Sequence, residues 1–189
     1  MKKVVYLHGF ASSSQSEKAQ LAIAFFRQHY PDIDFTALDL PYEPTSALTL
    51  IRQHLSGATD VALIGSSLGG FLATCVAEEL GCKACLINPA VAPHTVLHQH
   101  LGRYYHPVLQ QHYDVTADAM HSLEKLMPAQ LKQPANYLVL LQSGDEVLDY
   151  RLALHYYQGA TIDLTEGGDH SYTGFASRLR AIADFCQLS

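Results

Sequence analysis

Apolar positions fall into two alternating patterns along the chain. Short, largely apolar runs recur at Val4–Leu7, Phe35–Leu40, Val61–Ile64, Ala84–Ile87, Tyr137–Leu141 and Thr161–Leu164. Most of them lack strict in–out alternation, as expected of strands covered on both faces. Between them lie longer stretches with helical period. Leu21, Ala22, Phe25, Phe26 and Tyr30 share one face, as do Leu48, Ile51 and Leu55. Leu68, Leu72, Cys75, Val76 and Leu80 form a third stripe, and Phe175, Leu179, Ile182 and Cys186 a fourth. Strand–helix alternation of this kind predicts the α/β class: a mainly parallel sheet of about six strands with helices on both faces.

Local signals place the helix ends. Ser14 and Glu17 have capping-box spacing and predict a start there, with Pro31 ending the run. Thr45 is the expected cap of the second helix, Gly81 stops the third, and the last opens at Tyr172. One segment breaks the rhythm. Between Pro89 and Pro134 more than forty residues carry no strand signal, and six of the eleven histidines fall there: His94, His98, His100, His106, His112 and His121. A connection of that length is usually functional or carries its own helices, and Thr116 to Leu126 reads as one. The segment, about residues 90–134, is therefore expected to be a helical cap inserted over the C-terminal edge of the sheet in a single domain spanning 1–189.

Composition narrows the class. Of 189 residues, 48% are hydrophobic and 16% charged, which excludes a disordered tail. A net charge of −6 without clustered Lys and Arg argues against a nucleic-acid partner. No apolar stretch approaches the roughly 18–20 residues of a membrane span. Met1-Lys2-Lys3 leads into only four apolar residues, too few for a signal peptide. Four cysteines are too few for a disulfide scaffold. The expectation is a cytoplasmic globular domain.

The sharpest local motif is Gly65-Ser66-Ser67-Leu68-Gly69, a G-x-S-x-G match between an apolar run and a helical stretch. That context predicts a tight strand-to-helix turn with the Ser67 hydroxyl exposed at its apex, Gly65 and Gly69 relieving the crowding on either side. A serine hydroxyl becomes an effective nucleophile only when a base takes its proton. Position selects His170, which ends the turn Glu166-Gly167-Gly168-Asp169-His170 after the last strand, on the same sheet edge as Ser67. The other histidines read as surface or packing residues. The acid that orients the imidazole is assigned to Asp145, which leaves Tyr137–Leu141 through Ser143-Gly144 at that edge. Its rival Asp149 reads as the N-cap of a helix over Tyr150–Tyr157, and Asp169 as a shaper of its own turn. Ser67, Asp145, His170 is the chain order of the α/β-hydrolase fold. Acyl transfer also needs donors for a developing oxyanion. The backbone N–H of Leu68 is one expected donor, and that of Phe10, in the turn His8-Gly9-Phe10, the other.

In combination, Leu7-His8-Gly9-Phe10 with Ser12-Ser13, Gly65-Ser66-Ser67-Leu68-Gly69-Gly70, Asn88-Pro89-Ala90, Gly144-Asp145-Glu146-Val147-Leu148-Asp149-Tyr150 and Gly167-Gly168-Asp169-His170 resemble the small bacterial YqiA-type esterases. The likeness covers almost the whole chain. It implies an α/β-hydrolase fold, hydrolysis of carboxylic esters with no cofactor, and a triad of Ser67, Asp145 and His170 by position. It does not specify the His- and Tyr-rich cap, and so leaves the acyl chain open.

Competing chemistries fit less well. Cys82-Lys83-Ala84-Cys85 has C-x-x-C spacing but spans a helix end and a strand start, and a second such pair is absent, so structural thiols are expected. His94, His98 and His100 have no acidic or cysteine partner at ligand spacing, and no metal is expected. Serine at the elbow excludes dehalogenase and epoxide-hydrolase chemistry, which need an aspartate there. A small acyl ester or thioester is the expected substrate. Carbon–carbon bond hydrolysis by the same triad, acyl transfer, or a non-catalytic binding module on the same fold are the alternatives.

Overall fold

Every one of the six apolar runs becomes a strand. In the computed structural model, which describes residues 1–187, the strands are β1 (Lys3–Leu7), β2 (Asp34–Leu38), β3 (Val61–Ser66), β4 (Lys83–Ile87), β7 (Tyr137–Gln142) and β8 (Thr161–Thr165), with β5 (Gly102–His106) and β6 (Gln111–Val115) lying apart. The six-stranded sheet has the order β2-β1-β3-β4-β7-β8, and all its neighbours are parallel. The helices are α1 (Glu17–His29), α2 (Pro44–Leu55), α3 (Leu68–Leu80), α4 (Pro93–Leu97), α5 (Ala117–Leu126), α6 (Tyr150–Tyr156) and α7 (Leu179–Phe185).

Strand side chains alternate between faces, so each central strand feeds two cores. Val5, Leu7, Leu63, Leu86 and Val139 pack with α2, α3 and α5 through Leu48, Ile51, Val76 and Leu123. Val4, Tyr6, Ala62, Ile64 and Ile87 pack on the other face with α1 and α7 through Ala22, Phe26 and Ile182. The edge strands β2 and β8 carry Asp34, Thr36, Thr161, Asp163 and Thr165 and stay partly exposed. This is the α/β-hydrolase arrangement, with helices on both faces of the sheet.

Several helix ends differ from the sequence expectation. Ser16, not Ser14, caps α1 by accepting the Ala19 N–H, while Ser14 turns to Asp39, its N–H at 2.7 Å and its Oγ at 3.1 Å from the carboxylate. A charged acceptor on a neighbouring loop outcompetes the local cap. Glu43 takes the place expected of Thr45, its carboxylate accepting the N–H groups of Thr45 and Ser46 with Pro44 in the first turn. The last helix begins late: a 3₁₀ turn, Phe175–Arg178, precedes α7, and the positive φ of Tyr172 (65°) and Gly174 (80°) keeps the preceding residues out of the helix. Gly81 ends α3 in the left-handed region, φ 66°, as expected.

The segment expected to be helical contains a β-hairpin as well. β5 and β6 pair antiparallel, with Tyr104 opposite Tyr113 and Tyr105 opposite His112, between α4 and α5. Most of its side chains face solvent, and only His106 and Val115 are buried. Strands this short and this exposed leave no apolar run to detect. Cross-strand ring contacts hold them instead: Tyr104 stacks on Tyr113, and Tyr105 tilts against His112.

Candidate active site

Ser67 stands where β3 becomes α3, at φ 54° and ψ −119°, a strained conformation for a residue with a side chain. Main-chain bonds hold the turn. The Ser67 N–H donates to the Ile87 carbonyl at 3.0 Å, and the Ser67 carbonyl accepts from Gly70 at 2.9 Å and Ala90 at 3.0 Å. Gly65 and Gly69 leave no space for a side chain: a Cβ on Gly65 would enter the Gly69 carbonyl, and one on Gly69 the Leu7 and His8 carbonyls. Gly69→Ala should therefore force β1 and α3 apart and lower stability by roughly 3 kcal/mol or more, by analogy with severe overpacking. Thermal denaturation checks this, and an unchanged melting temperature would contradict the crowding.

Two loops bring the remaining candidates to Ser67. Asp145 follows β7, and its side chain is only 2% exposed. Its carboxylate accepts the N–H groups of Val147 (2.9 Å) and Leu148 (2.8 Å) and faces the His170 Nδ1 at 2.8 Å and 3.0 Å. Burial by itself raises the Asp145 pKa; the bonds from His170, Leu148 and Val147 outweigh it and hold the carboxyl below its ordinary value. On the other side of the ring, His170 Nε2 lies 3.0 Å from Ser67 Oγ. With Nδ1–H donated to the carboxylate, a neutral imidazole presents its Nε2 lone pair to the serine hydroxyl. The structure thus brings Ser67, His170 and Asp145 into one hydrogen-bonded row. Asp149 is not part of it: it accepts the Arg151 N–H at 3.0 Å and caps α6.

Asn88 and Gln142 hold this arrangement, and the sequence reading gave neither a role. Asn88, 2% exposed at the end of β4, donates through Nδ2 to the carbonyls of Asp169 (3.0 Å) and His170 (3.2 Å). Its Oδ1 accepts the Gln142 N–H at 3.0 Å. Gln142 in turn accepts the Asp169 N–H at 3.1 Å and donates to the Thr173 carbonyl at 2.8 Å. Two buried amides thus tie the His170 turn to the sheet. A polar side chain directly after a buried strand was the available signal.

Phe10 and Leu68 lie beside Ser67, and neither N–H reaches a protein acceptor among the described residues. Gly9 passes so close that a Cβ there would sit 3.2 Å from the Ser67 Cβ. Two buried histidines shape this loop, beyond the packing role expected of them. His8 accepts the Leu40 N–H at Nε2 (2.9 Å) and donates from Nδ1 to the Gly9 carbonyl (2.8 Å). Burial favours its neutral form and lowers its pKa. His106, reaching across from the hairpin, accepts the Leu109 N–H at Nδ1 (3.1 Å) and donates from Nε2 to the Ser12 carbonyl (2.8 Å). The Phe10 ring meets Tyr42 and Tyr113 edge-on, each at 6.0 Å.

A cavity of about 240 Å³ opens over this group. Pro93, Val96 and Leu97 of the α4 region and Leu148 form its apolar wall, and Ser67 and His170 its floor. The C-x-x-C pair lies far from it in the fold. Cys85 is buried 3.7 Å from the Cys186 sulfur, and burial pushes the Cys82 thiol up to about 11. Thiols so shifted are poor nucleophiles, in keeping with structural roles.

The sheet order and the strand-to-helix elbow define the chain as an α/β-hydrolase-fold protein, and solved structures agree. Alpha/beta hydrolase domain-containing protein 10 from mouse superposes with a TM-score of 0.76 at 15% identity, over 98% of this chain and 89% of that one. Est1E from Butyrivibrio proteoclasticus, with ferulic acid bound, gives 0.76 at 14% identity over 99% and 88%. The esterase domain of a Rhodothermus marinus protein gives 0.71 at 17% identity over 98% and 86%. At such identities the likeness establishes the fold. The chain belongs to UPF0227, an uncharacterised protein family whose profile matches residues 3–187. No helix among the described residues is long and apolar enough to cross a membrane.

Proposed function

We propose that this chain is a cytoplasmic serine esterase of the YqiA type that hydrolyses small acyl esters. The observation that carries this reading is the row Asp145–His170–Ser67, with bonds of 2.8 Å and 3.0 Å, beneath a cavity that two unpaired N–H groups border. His170 takes the Ser67 proton as Oγ attacks the carbonyl carbon, and the N–H groups of Phe10 and Leu68 hold the resulting oxyanion. The imidazolium gives that proton to the leaving oxygen as the ester C–O bond breaks. Water, deprotonated by His170, then attacks the acyl-enzyme and releases the acid, and the proton returns to Ser67. A thioester would follow the same steps with sulfur leaving. Each proton removed is returned, so no cofactor is needed. The ferulic acid held by Est1E shows that a small carboxylic acid is accommodated by that neighbour's fold.

A fluorophosphonate probe tests the reading. It should attach covalently to the peptide carrying Ser67 in the wild-type protein, and a short-chain ester should slow the labelling. A chain that neither takes up the probe nor hydrolyses short-chain esters would overturn the proposal.

A further inference from the structure

A second hollow adjoins the same serine and is more polar. It measures about 200 Å³ and is lined by Ser67 and His170 together with Tyr6, Ser12, Lys18 and Ser171. Phe10 borders both hollows. An ester carbonyl held at Ser67 would therefore send one arm into each. The apolar hollow under α4 suits the acyl chain, which makes no hydrogen bonds and gains by leaving water. The other arm is the alcohol, and the groups that meet it are donors.

Lys18 dominates this second hollow. It is half-buried at the start of α1, and its ammonium donates to the Ser171 carbonyl at 2.8 Å, one bond for three hydrogens. Among the described residues it joins no ion pair, unlike Lys2 and Lys3, which each meet an aspartate at 3.0 Å, and like Lys83, Lys125 and Lys132. Burial lowers its pKa, and the nearby carboxylates of Asp169 and Glu17 offset only part of that. Those two carboxylates line a neighbouring hollow that Lys18 also borders, whereas the lining of the hollow at Ser67 holds no acidic residue. Ser16 also lines this hollow: its Oγ accepts the Ala19 N–H and lies beside the Tyr6 hydroxyl. Beside the serine, a hollow that presents an ammonium and hydroxyl groups but no acidic side chain suits a group of negative charge.

From this geometry we infer that the leaving alcohol of the substrate carries an anionic oxygen group, a carboxylate or a phosphate, which Lys18 binds. The inference rests on the esterase reading and specifies the substrate class for that site. Lys18 is a specificity residue here, acting on the departing half of the ester and not on the reacting carbonyl.

Three butyrate esters provide the test: ethyl butyrate, the butyryl ester of glycolate, and the butyryl monoester of glycerol 3-phosphate. For the wild type, kcat/KM on one or both anionic esters should exceed that on ethyl butyrate, and which of them leads identifies carboxylate or phosphate. Lys18→Met should lower the anionic-to-ethyl ratio about tenfold or more, the scale of a hydrogen bond to a charged group. Lys18→Arg should retain most of the ratio, and this keeps the test valid if the methionine variant folds poorly. A wild-type ratio at or below one for both anionic esters, or a ratio that Lys18→Met leaves within twofold, would overturn the inference while ethyl butyrate hydrolysis keeps the esterase reading standing. Failure to hydrolyse all three esters, with no labelling of Ser67, would remove both.

Discussion

Ser67→Ala should cut ester turnover by about 10⁶-fold, the scale seen when a triad nucleophile is removed. The size of the effect follows from the mechanism. Without Oγ no acyl-enzyme forms, and His170 has no hydroxyl to deprotonate, so only water attack assisted by the Phe10 and Leu68 donors remains. The substitution should leave the fold intact. The turn is held by main-chain bonds, the Ser67 N–H donating to Ile87 and the Ser67 carbonyl accepting from Gly70 and Ala90, and alanine takes the left-handed φ of 54° at a cost similar to that of serine. Kinetics and thermal denaturation on the same preparation separate the two effects. A variant that folds normally and keeps more than about a hundredth of wild-type turnover would show that Ser67 is not the nucleophile.

Asp145→Asn should be the second most damaging change, about 10⁴-fold in kcat. The carboxylate accepts Nδ1–H and so leaves Nε2 free to receive the serine proton; an amide can instead donate to Nδ1 and favour the tautomer whose Nε2 carries hydrogen. The charge of the imidazolium would also lose its partner 2.8 Å away. Asp149→Ala gives the contrast. It removes the cap of α6, which should cost about 1 kcal/mol of stability and little turnover. If Asp149→Ala cost more turnover than Asp145→Asn, the assignment of the acid would be wrong.

The pH dependence follows from the same pair. Burial works against ionised Asp145, but its hydrogen bonds win and hold its pKa below the ordinary value. The carboxylate therefore stays charged into the acid range, where it still accepts the His170 Nδ1–H. The stabilisation linked to Asp145 has the sign of a depressed carboxyl. It is fully present above the unfolded-state pKa and is lost as pH falls through the lower native value. Unfolding free energies measured against pH should fall in acid more steeply for the wild type than for Asp145→Asn, and equal slopes would contradict a depressed Asp145 carboxyl.

How much of this was visible before folding depends on whether the cause is local. Burial on both faces makes a strand read as a continuous apolar run, and that is why the four central strands stood out; the edge strands β2 and β8, partly exposed, carried a weaker pattern broken by Asp and Thr. The elbow was visible for a similar reason: only glycine fits at positions 65 and 69, where a Cβ would meet backbone. Asp145 and His170 followed from their places just after strands on one sheet edge. The hairpin at 102–115 was invisible because its residues face solvent and pair only with each other. Caps misled where a distant acceptor competed, as Asp39 does for Ser14.

The residues taken in order determined the layered α/β architecture, the serine at the turn and the order of its two partners, because hydrophobic period and tight-turn chemistry act over a few neighbouring positions. Tertiary structure alone decided the rest. Asn88 and Gln142 gain their role only when β4, β7 and the His170 turn lie side by side. His106 reaches the Ser12 carbonyl from 94 residues away, and Lys18 meets Ser171 across 153. Contacts of that span depend on which loops the sheet order places together, and a polar side chain carries no mark in the sequence of the partner it will find.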